Sequence, residues 1–181
     1  SQDQVRAVAQ YAREMHIDPV RHIEVLGGRI YLTGDFYQEK GAKYVRDGSI
    51  ILHETEYIHA DERLAAMAKG DGSEEAQKWA EGELSHRAMQ RIKYAVPEGA
   101  KAAAVVRLTV RDGGTTFVGV NWCGGSTTKR DPVGEAEPTK TAETRAARRA
   151  WKRIVAVIPE FEQAVGHIEA RATVVEDEIA Q

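Results

Sequence analysis

Apolar residues at the start of the chain recur every three or four positions, at Val5, Val8, Ala12 and Met15. This spacing predicts a short amphipathic helix over 4–15. A second helix is predicted over 74–95, because this segment is rich in Glu, Ala, Gln, Lys and Arg and contains no proline. Residues 35–47 are predicted to form a short helix or a turn.

Runs of β-branched and aromatic residues flank two glycine pairs and predict two β-hairpins. The first lies within 22–33 and turns at Gly27-Gly28, and the second joins 102–110 to 115–122 through Gly113-Gly114. Glycine pairs suit such turns because glycine adopts positive φ angles without steric cost.

The strongest helical pattern is TAETRAARRAWKRIVAVI over 141–158. Pro138 and Thr139 are typical of a helix start, and Pro159 is typical of a helix end. On a helical projection with Arg145 at zero, the apolar residues share one side of the helix. They are Ala146, Ala147, Ala150, Trp151, Ile154, Val157 and Ile158. Trp151 is therefore assigned to the core. The basic residues lie between about 300° and about 80°, on the opposite side: Arg145, Arg148, Arg149, Lys152 and Arg153.

These elements predict an α+β fold, in which a small antiparallel sheet built from hairpins has a long amphipathic basic helix packed on it. Residues 48–58 are predicted to add one further strand. A length of 181 residues favours a single core domain, predicted over 1–158, followed by an acidic and partly helical tail over 159–181. The longest apolar stretches are far shorter than the roughly 20 residues of a membrane span. The single cysteine, Cys123, fits a reducing compartment, so we expect a cytoplasmic protein.

The charges of the chain are strongly segregated, although the formal net charge is only −3. The segment 54–83 holds nine acidic and three basic residues, whereas 139–153 holds six basic residues and one acid, Glu143. Like charges at helical spacing repel, as Arg145 and Arg149 must, and an ordinary solvated helix face would interleave acids between them. The basic face therefore predicts phosphate binding. The alternative is that its cations pair with 54–83, within the monomer or across a subunit interface.

Further basic residues extend the candidate surface: Lys43, Arg46, Arg107, Arg111, Lys129 and Arg130. Arg107 lies in a predicted apolar strand, where its charge must reach water or a partner, because burying it unpaired is costly. Lys129 and Arg130 fall in the Gly- and Pro-containing segment 124–137, which is either a functional loop or only a linker. Several aromatic residues are candidates for stacking on unpaired bases, although core packing is the better interpretation for each: Tyr31, Phe36, Tyr37, Tyr44 and Trp122.

The sequence offers no pattern that indicates catalysis. The six histidines and Cys123 lack the spacing of a metal-ligand cluster, and there is no Ser/His/Asp set or glycine-rich phosphate loop. We therefore expect a protein that is not an enzyme and uses no cofactor or metal.

The order of features resembles a known family. IDPVRHIEVLGGRIYLTGDFYQEKG near the start, a central hairpin, and AETRAARRAWKRIVAVIP near the end are similar to the RecT, Red-beta and Erf superfamily of phage single-strand DNA-annealing proteins. The resemblance covers about 20–158. Its matching positions are the five cations of the basic helix and the hairpin at Gly27-Gly28-Arg29, which adds Arg29 to the candidate DNA-binding residues.

The resemblance implies ATP-independent annealing of complementary strands in homologous recombination. The ligands would be single-stranded DNA and the annealed duplex intermediate, held in a basic groove of a homo-oligomeric ring or helical filament. A partner exonuclease and a single-strand-binding protein would accompany it. Two other functions stay open: a non-catalytic oligomeric scaffold, in which the basic helix docks on the 54–83 segment of a neighbour, and a metal-dependent nuclease, which would need clustered acids.

Overall fold

The structure, a computed structural model, describes residues 2–26, 28–59, 61–124 and 136–180. Six α-helices lie within these ranges: α1 (Gln2–Glu14), α2 (Gly34–Arg46), α3 (Glu62–Ala68), α4 (Glu74–Lys93), α5 (Pro138–Val155) and α6 (Pro159–Ala180). The same ranges contain six strands: β1 (Ile23–Leu26), β2 (Arg29–Leu32), β3 (Ile50–Leu52), β4 (Glu56–Tyr57), β5 (Ala100–Val110) and β6 (Thr115–Gly124). The predicted α+β class with small antiparallel sheets is confirmed.

The chain divides into two compact units. The first unit comprises Ser1–His53, Arg107–Gly119 and Ala147–Gln181, and the second comprises Glu54–Val106 and Val120–Ala146. β5, β6 and α5 each contribute residues to both units.

In the first unit, β1 and β2 form the predicted hairpin. They pair antiparallel, with Val25 opposite Ile30 and Leu26 opposite Arg29. Gly28 has a φ of +79°, a backbone conformation that glycine adopts without strain. α6 packs against both α1 and β2. The hairpin is thereby fixed by a helix from the other end of the chain.

The core of the first unit is built around Trp151, whose side chain is only 1% exposed. Its ring meets the ring of Phe161 at a centroid distance of 6.0 Å and an angle of 80°. Its other close neighbour is Gly41 of α2, where a β-carbon would have no room beside the indole. The assignment of Trp151 to the core is confirmed.

α6 is more extensive than the sequence predicts. The segment 159–181 is predicted as a partly helical acidic tail, but the structure has a helix over Pro159–Ala180. Its apolar residues follow helical spacing and are buried: Phe161, Val165, Ile168, Ala172 and Val175. The helix also begins at Pro159, because proline is tolerated in the first turn, and α5 ends at Val155 rather than at 158.

The predicted strand over 48–58 is two strands. β3 pairs with the end of β5, with Leu52 opposite Leu108, and β4 pairs with its beginning, with Glu56 opposite Val105. Three residues, 53–55, therefore lie opposite two residues of β5, which is the arrangement of a β-bulge. The extra residue interrupts the ladder and is the reason that a continuous strand does not form.

The second unit contains α3, α4, β4, the first seven residues of β5, the last five of β6 and the first nine of α5. α3 packs against α4, and the run 102–106 of β5 is buried. Arg87 of α4 connects the unit's elements by donating from Nη1 to the backbone oxygen of His59 over 2.7 Å and from Nε to Glu83 over 2.7 Å. The predicted helix over 74–95 is confirmed, whereas α3 is an addition.

Candidate nucleic-acid interface

The basic helix α5 buries its apolar stripe. Ala146, Ala150, Trp151 and Ile154 are buried, whereas Val157, beyond the end of the helix, is 51% exposed. The cations lie at half-buried or exposed positions of the same helix, as the helical projection predicts. In the first unit these cations are Arg148, Arg149, Lys152 and Arg153.

Arg148 packs on an aromatic ring of the β1–β2 hairpin. Its guanidinium carbon lies 4.6 Å from the centroid of Tyr31, within the range of a cation–π interaction. The Nε of Arg148 is buried and has no hydrogen-bond partner among the residues that the structure describes. A buried donor without an acceptor costs about 1–3 kcal/mol.

Lys152 has a carboxylate partner on α6. Its ammonium lies 3.3 Å from Oε1 of Glu169, and both side chains remain partly exposed. The hydroxyl of Tyr37 donates to the same oxygen. Burial raises the pKa of Tyr37 well above its ordinary value, and the adjacent Glu169 carboxylate raises it further. Tyr37 therefore stays protonated and remains a hydrogen-bond donor at neutral pH.

Arg148 and Lys152 line one cavity of about 340 Å³ in the first unit. The other polar groups in its wall include the hydroxyl of Tyr37 and the carboxylates of Glu169 and Glu176. Oε1 of Glu176 accepts a 2.6 Å hydrogen bond from the backbone N–H of Ile30. The cavity thus combines cationic donors with carboxylate acceptors, rather than presenting a purely cationic surface.

Arg153 connects α5 to the sheet. Its Nη1 donates to the backbone oxygen of Val118 in β6 over 2.6 Å, while the side chain as a whole stays exposed. Arg149 is also exposed. Both residues present charge to solvent, and Arg153 in addition fixes the end of the helix.

The other predicted site residues of the first unit occupy separate places. Arg29 is exposed on β2, two residues from Tyr31, so both side chains project from the same face of that strand. Lys43 and Arg46 are exposed on α2, and the Lys43 ammonium lies 4.6 Å from the ring centroid of Tyr44.

Arg107 lies within β5, and Arg111 directly follows its last residue. Arg107 is half-buried, and its backbone oxygen accepts from the N–H of His53 over 3.2 Å. Arg111 is exposed, and its guanidinium fills the space beside Gly48. Neither lines the cavity of Arg148 and Lys152.

Three predicted residues lie elsewhere. Arg145 is a half-buried residue of the second unit. Lys129 and Arg130 lie in 125–135, outside the described residues.

Glu143, the one acid of the segment 139–153, has hydrogen-bond partners in the second unit. Glu143 accepts from Oγ1 of Thr55 over 3.2 Å and from the hydroxyl of Tyr57 over 2.9 Å. Burial raises the pKa of Tyr57, and the hydrogen bond to Glu143 acts in the same direction. Glu143 therefore has a structural role in joining α5 to the β4 region.

Several acids of 54–83 have partners within the second unit. Glu56 pairs with His86, and Glu74 pairs with Lys78. Asp61 and Glu83 both pair with Arg87. These acids therefore pair with basic side chains of their own unit.

The aromatic candidates divide between core and surface. Phe36 and Tyr37 are buried, which confirms the interpretation as core residues. Tyr44 is half-buried against Phe161, with ring centroids 5.4 Å apart, and Trp122 is also half-buried. Two of the aromatic candidates contact candidate cations, Tyr31 with Arg148 and Tyr44 with Lys43.

Glu169 and Glu176 were not predicted as site residues. Both belong to α6, and the apolar spacing of four, three, four and three residues from Phe161 to Val175 was the available signal for a buried helix. Once the helix is assigned, the two acids, seven residues apart, fall on one face.

Within the described ranges, no group of three or more His, Cys, Asp or Glu side chains is arranged to hold a metal ion. Nor is any described helix both long enough and apolar enough to cross a membrane. Comparisons with protein-family models, with curated proteins and with solved structures found no match to the chain.

Proposed function

We propose that this chain binds single-stranded DNA and anneals complementary strands without ATP, using the exposed cations of α5. The observation that carries the proposal is that α5 has a buried apolar side and an exposed basic side. Its apolar stripe is buried around Trp151, whereas Arg149, Lys152 and Arg153 are exposed. Glu143, the one acid of the segment 139–153, is engaged by Thr55 and Tyr57.

The chemistry expected of such a surface is phosphate neutralisation. Lysine and arginine displace the counterions of a nucleic acid, and contacts to the backbone carry no base identity. Strands of any sequence would therefore bind, and their bases would stay available for pairing. Tyr31, already packed on Arg148, offers a ring of the kind on which unpaired bases stack.

Self-assembly would strengthen weak contacts of this kind. A homo-oligomeric ring or filament presents many copies of one surface to one strand, which raises the overall affinity without new contacts. By the resemblance of the sequence to the RecT, Red-beta and Erf superfamily, a partner exonuclease and a single-strand-binding protein would accompany it in recombination. The single cysteine supports placing the protein in the cytoplasm.

The direct experiment is a strand-annealing assay without nucleotide, using two complementary oligonucleotides. The double variant Arg149→Ala with Lys152→Ala is preferred over variants of Arg148, because Arg148 packs on Tyr31 and its removal would disturb the fold. We expect annealing by the wild type and a loss of about tenfold or more in strand affinity for the double variant.

A matched control removes two cations elsewhere. Arg6 and Lys78 are exposed and pair with Asp3 and Glu74 on their own helices. Their combined replacement by alanine changes the net charge equally and should leave annealing unchanged. Annealing lost equally in both double variants, or absent from the wild type, would reject the proposal.

A second candidate function is an oligomeric scaffold. α4 leaves large apolar side chains exposed, with Trp79 at 57%, Met89 at 63% and Ile92 at 81%. Met89 and Ile92 are three residues apart and so lie on one face of the helix, and contiguous exposed apolar surface commonly marks protein interfaces. Oligomers that form without any shift of an oligonucleotide, at any protein concentration, would favour the scaffold over the annealing protein.

A further inference from the structure

The cavity beside Arg148 is poorly suited to a phosphate group alone. Its wall holds Arg148 and Lys152, but also the carboxylates of Glu169 and Glu176. Both carboxylates are held in the wall, Glu169 by the Tyr37 hydroxyl and Glu176 by the N–H of Ile30. A phosphate would gain two cations and meet two fixed negative charges, so a ligand with both donors and acceptors fits better.

The cavity is lined mainly by polar surface, with a smaller apolar part. The buried Nε of Arg148 has no acceptor within the described part of the chain. Ile30, Leu32 and Ala172 contribute apolar wall. Its volume of about 340 Å³ lies at the lower end of small-molecule sites, which range over about 300–1,000 Å³. A mainly polar wall with a smaller apolar part suits a heteroaromatic ring that carries hydrogen-bond donors and acceptors on its edges.

A nucleobase on a single strand has this chemistry. Single-stranded bases can be splayed out and recognised through their edges by hydrogen bonds. Guanine presents adjacent N–H donors, and one carboxylate can accept hydrogen bonds from both. It also presents the acceptors O6 and N7, to which arginine donates. Thymine has one N–H between two carbonyl oxygens, so the same carboxylate would meet repulsion on either side.

We propose that this cavity holds one guanine base of a bound strand, with Glu169 accepting from the guanine N–H groups and Arg148 donating to its ring acceptors. The proposal rests on the proposed function, because the strand must first be bound by the α5 cations. The Glu169 contacts with Lys152 and Tyr37 both use Oε1. They hold the carboxylate in place in the wall of the cavity. The annealing surface would thus carry a local base preference.

The test compares oligo(dT) with oligonucleotides in which one central thymidine is replaced by deoxyguanosine, deoxyadenosine or deoxycytidine. Fluorescence anisotropy gives the affinity of the full chain for each probe. We expect the deoxyguanosine probe to bind at least about fivefold more tightly than oligo(dT), which is the lower end of what one bidentate base contact contributes. The affinities of the deoxyadenosine and deoxycytidine probes should be closer to that of oligo(dT).

Glu169→Gln is the matching variant, and Glu162→Gln is its control. Glu162 is an exposed acid on the same helix and lies outside the cavity. Glu169→Gln should bring the ratio between the deoxyguanosine probe and oligo(dT) close to one, whereas Glu162→Gln should leave that ratio unchanged. A ratio unchanged in Glu169→Gln would overturn the assignment.

The failures of the two proposals are distinguishable. A wild type that binds none of the probes rejects the proposed function and the base site together. A wild type that binds all four probes equally rejects the base site alone. Free deoxyguanosine monophosphate added as competitor should displace the deoxyguanosine probe only at concentrations far above those of a competing oligonucleotide. Equal potency of the free nucleotide would identify a nucleotide site and overturn the strand-borne form of the proposal.

Discussion

Lys152 and Glu169 face each other across α5 and α6, with Nζ and Oε1 3.3 Å apart. One cation of the proposed DNA-binding surface is therefore already matched by a carboxylate of the same chain. A pair as exposed as this one contributes little to stability, about 0–1 kcal/mol. The pair is expected to affect ligand binding more than stability, because a phosphate that approaches Lys152 must compete with Glu169.

Glu169→Gln should strengthen the binding of single strands that contain no guanine. Removing this carboxylate takes away a repulsion, and Lys152 then holds its phosphate without a competing carboxylate, so the affinity rises while the number of phosphate contacts and the salt slope stay the same. Affinity measured against oligo(dT) at several salt concentrations checks this. Equal affinities of the variant and of Glu162→Gln would show that Glu169 does not oppose the strand.

The contact between Arg148 and Tyr31 should contribute to stability. Its energy is expected at about 0.5–2 kcal/mol, because Arg148 is half-buried. A double-mutant cycle with Arg148→Met and Tyr31→Leu, followed by urea unfolding, isolates this coupling while keeping apolar volume. Strictly additive effects of the two replacements would mean that the ring and the guanidinium do not interact.

Gly41→Ala should destabilise the protein. A β-carbon at this position would meet the Trp151 indole, with Cη2 at 2.8 Å, and the surrounding core leaves the ring little room to move. We expect a loss of about 1–3 kcal/mol from overpacking, partly offset by the gain of about 0.5–1 kcal/mol that alanine brings in a helix.

Gly82→Ala on α4 is the control for Gly41→Ala. Nothing lies within 4 Å of the β-carbon that it would add, so helix propensity acts alone and the midpoint of thermal unfolding should rise. A Gly41→Ala protein as stable as Gly82→Ala would contradict the packing described around Trp151.

Asp47→Asn should lower stability at neutral pH but not in acid. The Ser49 side chain and then its backbone N–H hold the pKa of Asp47 below its ordinary value of 3.8, and the Arg111 guanidinium acts in the same direction. A carboxyl whose pKa is lowered on folding stabilises the protein above its unfolded pKa, and this contribution is lost as the pH falls through the lowered value.

Thermal unfolding of the wild type and of Asp47→Asn at about pH 7 and about pH 2.5 measures this contribution. The difference between the two proteins should be present at the higher pH and shrink at the lower. A difference that persists unchanged in acid would show that Asp47 acts through its shape rather than its charge.

Local patterns predicted most of the elements. The hairpins follow from glycine pairs between β-branched runs, and α5 follows from an apolar stripe opposite a basic one, because both signals act over a few residues. The bulge at 53–55 was not predictable in this way, because it depends on the register of two segments against β5. Register is set by pairing across the sheet, and a single sequence does not display it.

The candidate site was predicted only in part. The cations of α5 follow from their arc on the helix, but the charge that faces Lys152 comes from a segment predicted as a tail. The stack of Arg148 on Tyr31 joins residues more than a hundred positions apart, and no periodic pattern links them. The acidic residues of 159–181 led to the prediction of an acidic, partly helical tail, although the apolar spacing of this segment favours a buried helix.

The most direct measurement is the salt dependence of single-strand affinity for the wild type, for Arg149→Ala with Lys152→Ala, and for Arg6→Ala with Lys78→Ala. A slope of log affinity against log salt near −2 or steeper is expected for the wild type, from about three or more phosphate contacts at about 0.7 each. The slope should become shallower by about 1.4 for the first double variant and stay unchanged for the second. An affinity that is the same at about 50 and about 200 mM salt, or one that both double variants alter equally, would contradict a cationic α5 surface that holds the strand.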